Sequence, residues 1–165
     1  MRLRGIRHAI ITAAVLGLAA GGVRVEVAGQ GTGAKRSDSV VKATAAADKP
    51  GPDGKQVVNI ALKIDEGWHI YANPVGNDVA TPTKVTVEGK KAEEVQIDYP
   101  KGKLIKDADE QYQAYQGDVT IKVTVNRGKE DAPLKVKVRL QACTDPSPGK
   151  TGRCLLPATV ELTVQ

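Results

Sequence analysis

Two cysteines, Cys143 and Cys154, stand with ten residues between them in QACTDPSPGKTGRCLLP, at 141–157. A pair of this kind can close a structural disulfide, supply half of a metal site, or cycle between dithiol and disulfide. A structural zinc wants four ligands, and beyond the basic N-terminal stretch the chain adds only His69, from a distant segment. No metal or other cofactor is therefore expected. Hydrolytic chemistry has no better footing, because there is no G-x-S-x-G stretch and a lone histidine without a nucleophile is more often a packed or surface residue. The staple and the exchanging dithiol both remain open. As a staple, the pair would close a twelve-residue loop and contribute about 3 kcal/mol on chain-entropy grounds.

A second group is DEGWHIYANPVGN, Asp65 to Asn77, with Trp68, His69 and Tyr71. Bulk physics reads it as a strand end carrying a core Trp, with Asn73-Pro74 as the exit turn. The acidic run DADE, Asp107 to Glu110, reads most simply as a solvated loop.

The elements that must position these residues show a period of two from Gln56 onward. Val58, Ile60, Leu62 and Ile64 alternate in VVNIALKI, Val85 and Val87 in KVTVEG, and Val95, Ile97 and Tyr99 in EEVQIDYP. The pattern returns in DVTIKVTVN, in LKVKVRLQ and in ATVELTVQ. Turn residues such as EGKK, PKGK and NRGKED separate the runs, and no helix of ordinary length is evident. The expectation is an all-β, immunoglobulin-like antiparallel β-sandwich of about seven strands, one buried face per sheet, over 56–165. With no Phe, one Trp and four Tyr, its core must rest on Val, Ile and Leu.

Parity constrains the pair. If 134–142 alternate regularly, Cys143 points away from the core, whereas Cys154 shares parity with Val160 to Val164. A cross-strand disulfide then requires a bulge or loop, expected in the Pro-containing 154–158 segment.

The N-terminus has the layout of a secretory signal peptide: basic MRLRGIRH, then fifteen uncharged residues from Ala9 to Val23. Fifteen residues fall short of the roughly 20 needed to span a membrane, so an uncleaved anchor is the weaker reading. Cleavage is expected after Gly21 or Gly22, or near Ala28, which assigns 1–28 to the leader and the product to the periplasm or the exterior. Export places both cysteines where disulfides form and persist. The formal charge of +5 is concentrated early, since 56–165 hold 15 basic and 15 acidic side chains, so nucleic-acid binding is not supported. Residues 29–55, rich in Gly, Ala, Ser, Lys, Asp and Pro, are expected to be a disordered linker, with at most a transient helical turn in KATAAAD.

GWHIYANP, then DADEQYQAYQGDVTI, then a strand entering QAC and CLLPATVELTV together resemble the N-terminal periplasmic domain of the thiol:disulfide interchange protein DsbD. The resemblance spans about Val57 to Gln165. It implies an immunoglobulin-like domain whose cysteines receive electrons from a membrane-embedded donor and pass them to thioredoxin-like periplasmic proteins, with no small-molecule substrate evident. Carried over by position, Cys154 forms mixed disulfides and Cys143 resolves them. Family members shield the pair with a cap loop, matched here by Asp107 to Tyr115. That match makes Tyr112 the candidate cap, with Tyr71, Asp109, Glu110 and Arg153 around the site. Arg153 would favour a Cys154 thiolate, and Asp145 near Cys143 acts in the opposite sense.

The chain departs from the family in three ways. Its inter-cysteine loop is longer than usual, and Pro157 alone follows CLL. The sequence also ends with the domain, so a separate protein is expected as the electron donor. Without the resemblance, the same residues fit a non-enzymatic binding or structural domain with a permanent Cys143–Cys154 disulfide.

Overall fold

The structure, a computed structural model, describes residues 34–165 except 79, 108–109, 128–131, 146 and 148–151. The expected leader, 1–28, lies outside the described residues. Among those described, no helix is long and apolar enough to cross a membrane.

Alternation builds the first sheet. In β2 (Lys55–Ile64) Gln56, Val58, Ile60, Leu62 and Ile64 face inward, and in β8 (Asp118–Asn126) Ile121, Val123 and Val125 do the same. These strands pair antiparallel with Ile60 opposite Ile121, so apolar residues meet on one face and Lys and Thr on the other. β1 (Val41–Ala47) and β5 (Val95–Asp98) complete the order β1-β2-β8-β5.

A second sheet joins β11 (Ala158–Val164), β9 (Leu134–Leu140) and β4 (Lys84–Val87) in that order. Leu134, Val136, Val138 and Leu140 of β9 turn inward beside Leu162, Val164 and Val85. The third sheet runs β10-β3-β7-β6, made of β10 (Ala142–Thr144), β3 (Trp68–Tyr71), β7 (Glu110–Tyr115) and β6 (Lys103–Asp107). Ile70, Tyr115 and Ala142 join the main apolar cluster from this sheet, so one core unites all three. The architecture is an immunoglobulin-like antiparallel β-sandwich. The Tyr115 hydroxyl donates to Pro100 O at 2.9 Å, and burial pushes its phenol pKa upward.

The expectation of a disordered linker across 29–55 is corrected over 37–47. A short 3-10 turn, Ser37–Ser39, leads into β1, whose seven residues pair with β2 from Val41 opposite Ile64 to Ala47 opposite Val58. Val41, Ala43 and Ala45 are buried while Lys42, Thr44 and Ala46 are exposed. The period of two is present there, but alanine gives little hydrophobic contrast, and cross-strand pairing overrides its helical preference.

The strand count also exceeds the expected seven. β6 and β7 form a hairpin across the acidic run, with Asp107 paired to Glu110, where a loop was expected. Trp68, expected in the core, is half-buried at its margin. Asn73-Pro74 is a cis peptide at the exit of β3.

Candidate functional site

The pair is positioned where the chain changes sheets. β9 ends at Leu140, Gln141 breaks the strand, and β10 carries Cys143 into the third sheet. Ala142 still faces the main core, so Cys143 points to the opposite face, as parity requires. Cys154 precedes β11, which begins only at Ala158, so the chain breaks at Gln141 as well as in the 154–158 segment.

Cys143 and Cys154 oppose each other in an isolated antiparallel bridge and form a disulfide, with Cα atoms 4.0 Å apart. Thr144 N–H donates to Arg153 O and Leu155 N–H to Ala142 O, both at 2.9 Å. These bonds flank the cysteines, making them a non-hydrogen-bonded pair, the ladder position at which Cα atoms approach most closely. The two cysteines differ in exposure: Cys143 is 4% exposed, whereas Cys154 is open to solvent.

Buried Ser37 secures both sides of this bridge. Its N–H and hydroxyl donate to Leu156 O at 2.9 and 2.8 Å, and its Oγ accepts Ala142 N–H at 2.8 Å. Residues around Ser37 therefore run beside the Cys154 segment, and Lys35, Arg153, Cys154, Leu155 and Leu156 line an open cleft of about 310 Å³. No sequence motif marks Ser37, and its role comes from a contact 119 residues away.

Aromatic side chains cover the buried side. The Tyr71 hydroxyl lies 3.5 Å from Cys143 Sγ and 3.9 Å from Cys154 Sγ, and because disulfide sulfur carries no proton, the phenol is the donor. Tyr112, 6% exposed, packs behind Tyr71 edge-to-face at 5.3 Å and stacks on His69 at 5.4 Å. Of the two tyrosines expected around the site, Tyr71 is thus the one whose hydroxyl reaches the sulfurs, and Tyr112 supports it.

His69 is 1% exposed. Its Nδ1 lies 3.1 Å from Asp145 Oδ1 and its Nε2 3.3 Å from the Tyr112 hydroxyl. Asp145 Oδ1 also accepts from Gln116 Nε2 at 2.8 Å, and Asp145 N–H donates to Gly67 O at 2.9 Å. Gly67 occupies φ +77°, a left-handed turn conformation that glycine adopts without penalty. The alternation of β3 puts His69 on the face opposite Ile70, the face that Cys143 also takes, and its contacts with β7 and Asp145 arise in the tertiary structure.

The Arg153 guanidinium lies 5.8 Å over the Trp68 ring, a cation–π contact. Glu110 opens β7 with its side chain exposed. Asp109 lies outside the described residues. The arrangement is chemically asymmetric: one sulfur can be reached from solvent, and the other is buried beside a hydroxyl able to stabilise it as a leaving thiolate.

A family profile described as "Thiol:disulfide interchange protein DsbD, N-terminal" matches residues 37–164. No curated protein matches the chain. Among solved structures, the N-terminal periplasmic domain of ScsB from Proteus mirabilis aligns with TM-score 0.53 and 17% identity, covering 74% of this chain and 44% of that one. This chain therefore spans less than half of that ScsB chain, and at this identity the likeness concerns the fold. The Neisseria meningitidis DsbD n-terminal domain in the reduced form aligns with TM-score 0.47 and 19% identity, covering 77% of this chain and 85% of that one. The profile match takes in the Ser37–Ser39 turn, the eleven strands among the described residues and both cysteines, and on it the chain belongs to the family of N-terminal domains of the thiol:disulfide interchange protein DsbD.

Proposed function

We propose that this domain is an exported thiol-disulfide exchange module that relays reducing equivalents through Cys143 and Cys154 to thioredoxin-like periplasmic proteins. The observation that carries this reading is the unequal exposure of the two cysteines within one disulfide. Cys154 is the exchanging cysteine. In the reduced domain its thiolate attacks a partner disulfide, one partner sulfur leaves, and a mixed disulfide forms. Cys143 then attacks Cys154 Sγ, restoring the internal disulfide and releasing the second partner sulfur, so two electrons pass to the partner.

In the reverse direction, a donor thiolate attacks Cys154 and Cys143 leaves beneath the Tyr71 hydroxyl. Tyr71 and Tyr112 act as the cap that keeps small thiols from the buried sulfur. Arg153 contributes a local positive charge, and Glu110, exposed at the start of β7, marks the edge over which a partner would settle. The donor is a membrane protein, and residues 1–28 direct export. Family membership supports the exchange chemistry.

The test is a Cys143→Ala variant incubated with an oxidised thioredoxin-like protein. A stable mixed disulfide through Cys154 is expected, and Cys154→Ala should yield none. Failure to trap an adduct, together with a reduction potential below roughly −300 mV, would assign the pair to a permanent staple in a binding domain.

A further inference from the structure

We propose that His69 is a positioning residue that sets the proton balance of the Cys143 thiol when the pair is reduced. This rests on the assignment of Cys143 as the resolving cysteine. Cys143 pairs with His69 in the β10–β3 register, which puts both side chains on one face with Cβ atoms about 5 Å apart. A buried thiol resists ionisation, yet resolution needs its thiolate. His69 is the buried base beside it.

The surroundings define how His69 holds a proton. The Asp145 carboxylate accepts Nδ1–H at 3.1 Å, which leaves Nε2 to accept the Tyr112 O–H at 3.3 Å. The Tyr71 ring lies 5.8 Å from the imidazole, and its hydroxyl reaches Cys143 Sγ at 3.5 Å. Asp145 therefore faces His69 from the end of β10, Cys143 from β10 itself, Tyr71 from β3 and Tyr112 from β7. Farther out, Glu110 leads the same face of β7 into solvent, and the Arg153 guanidinium lies over Trp68.

During resolution the Cys143 S–H bond breaks and one proton is held at His69 Nε2, whose N–H then donates to the Tyr112 oxygen. The imidazolium lies between two anions, the Asp145 carboxylate and the Cys143 thiolate. Thiolate attack on Cys154 Sγ forms the internal disulfide and breaks the bond to the partner. The partner sulfur leaves as a thiolate, and the imidazolium returns its proton to solvent. The oxidant throughout is the partner's disulfide.

The experiment titrates Cys143 in the reduced Cys154→Ser protein by thiolate ultraviolet absorbance and by alkylation rate, with no partner present. Two linked ionisations are expected, one from the histidine and one from the thiol. His69→Gln keeps a donor and an acceptor but cannot take up a proton. It should abolish the histidine-linked step and lower the thiolate fraction near pH 7 about tenfold, equivalent to one pKa unit. Asp145→Asn should move the histidine-linked step to lower pH, because the carboxylate stabilises the imidazolium. His69→Phe serves as a second variant, with near-UV circular dichroism reporting the fold. Titrations of folded His69→Gln or His69→Phe that superimpose on the parent would overturn the proposal. Because the readout needs no exchange partner, that failure is distinct from failure of Cys143→Ala to trap one.

Discussion

Reducing the Cys143–Cys154 disulfide should weaken the domain without unfolding it. The bridge closes a loop with a sequence separation of 11, which on chain-entropy grounds corresponds to about 3 kcal/mol, or roughly a 150-fold change in the folding equilibrium. Whole-domain stabilities of about 5–15 kcal/mol leave a positive remainder. The local structure explains why the loss stays bounded. β10 remains paired to β3 through Ala142, Cys143 and Thr144, and Ala142 N–H remains bonded to Ser37 Oγ, so the strand carrying Cys143 does not depend on its partner sulfur. The assay is urea unfolding of the oxidised protein, the reduced protein and the Cys143→Ala/Cys154→Ala variant. Both disulfide-free forms should give one cooperative transition, about 3 kcal/mol below the oxidised form. Loss of cooperativity on reduction, or a drop above about 6 kcal/mol, would refute the argument and favour a permanent staple, because a relay must be folded in both redox states.

Tyr71→Phe removes the donor to the departing Cys143 sulfur, and hydrogen bonds to charged groups contribute about 1.5–3 kcal/mol. Reduction of the disulfide by a small thiol should slow roughly tenfold or more, and an unchanged rate constant would count against a role for the hydroxyl. Ser37→Ala leaves the fully buried Ala142 N–H without its acceptor, so urea unfolding should show a loss of about 1–3 kcal/mol. Tyr115, whose phenol is raised by burial, keeps its proton in the folded state after the unfolded chain has begun to lose it at about pH 10. Stability should therefore fall as pH rises above that point. Tyr115→Phe should lack this component, so the stability gap between the two proteins should narrow in alkaline unfolding titrations.

Strong alternation was legible wherever β-branched and Leu side chains carried it, as in β2, β8, β9 and β11. β1 was hidden because Ala43 and Ala45 bury too little apolar surface to stand out from a linker, and its pairing with β2 supplies the missing information. β6 and β7 were obscured because the face opposite Tyr112 carries Lys106, Gln111 and Gln113 beside an exposed Leu104. Parity correctly placed Cys143 opposite the main core, but parity alone cannot say what it meets there.

The sequence by itself determined an all-β chain, the inward residues of its longest strands, and a single cysteine pair late in the domain, because a period of two and residue chemistry are local properties. The tertiary structure alone decided that Cys143 is buried and Cys154 exposed, that the Tyr71 hydroxyl reaches both sulfurs, and that His69 joins Asp145 to Tyr112. These features depend on the sheet change at Gln141 and on strands distant in the chain meeting at one edge, and contacts of that range leave no periodic trace in the sequence.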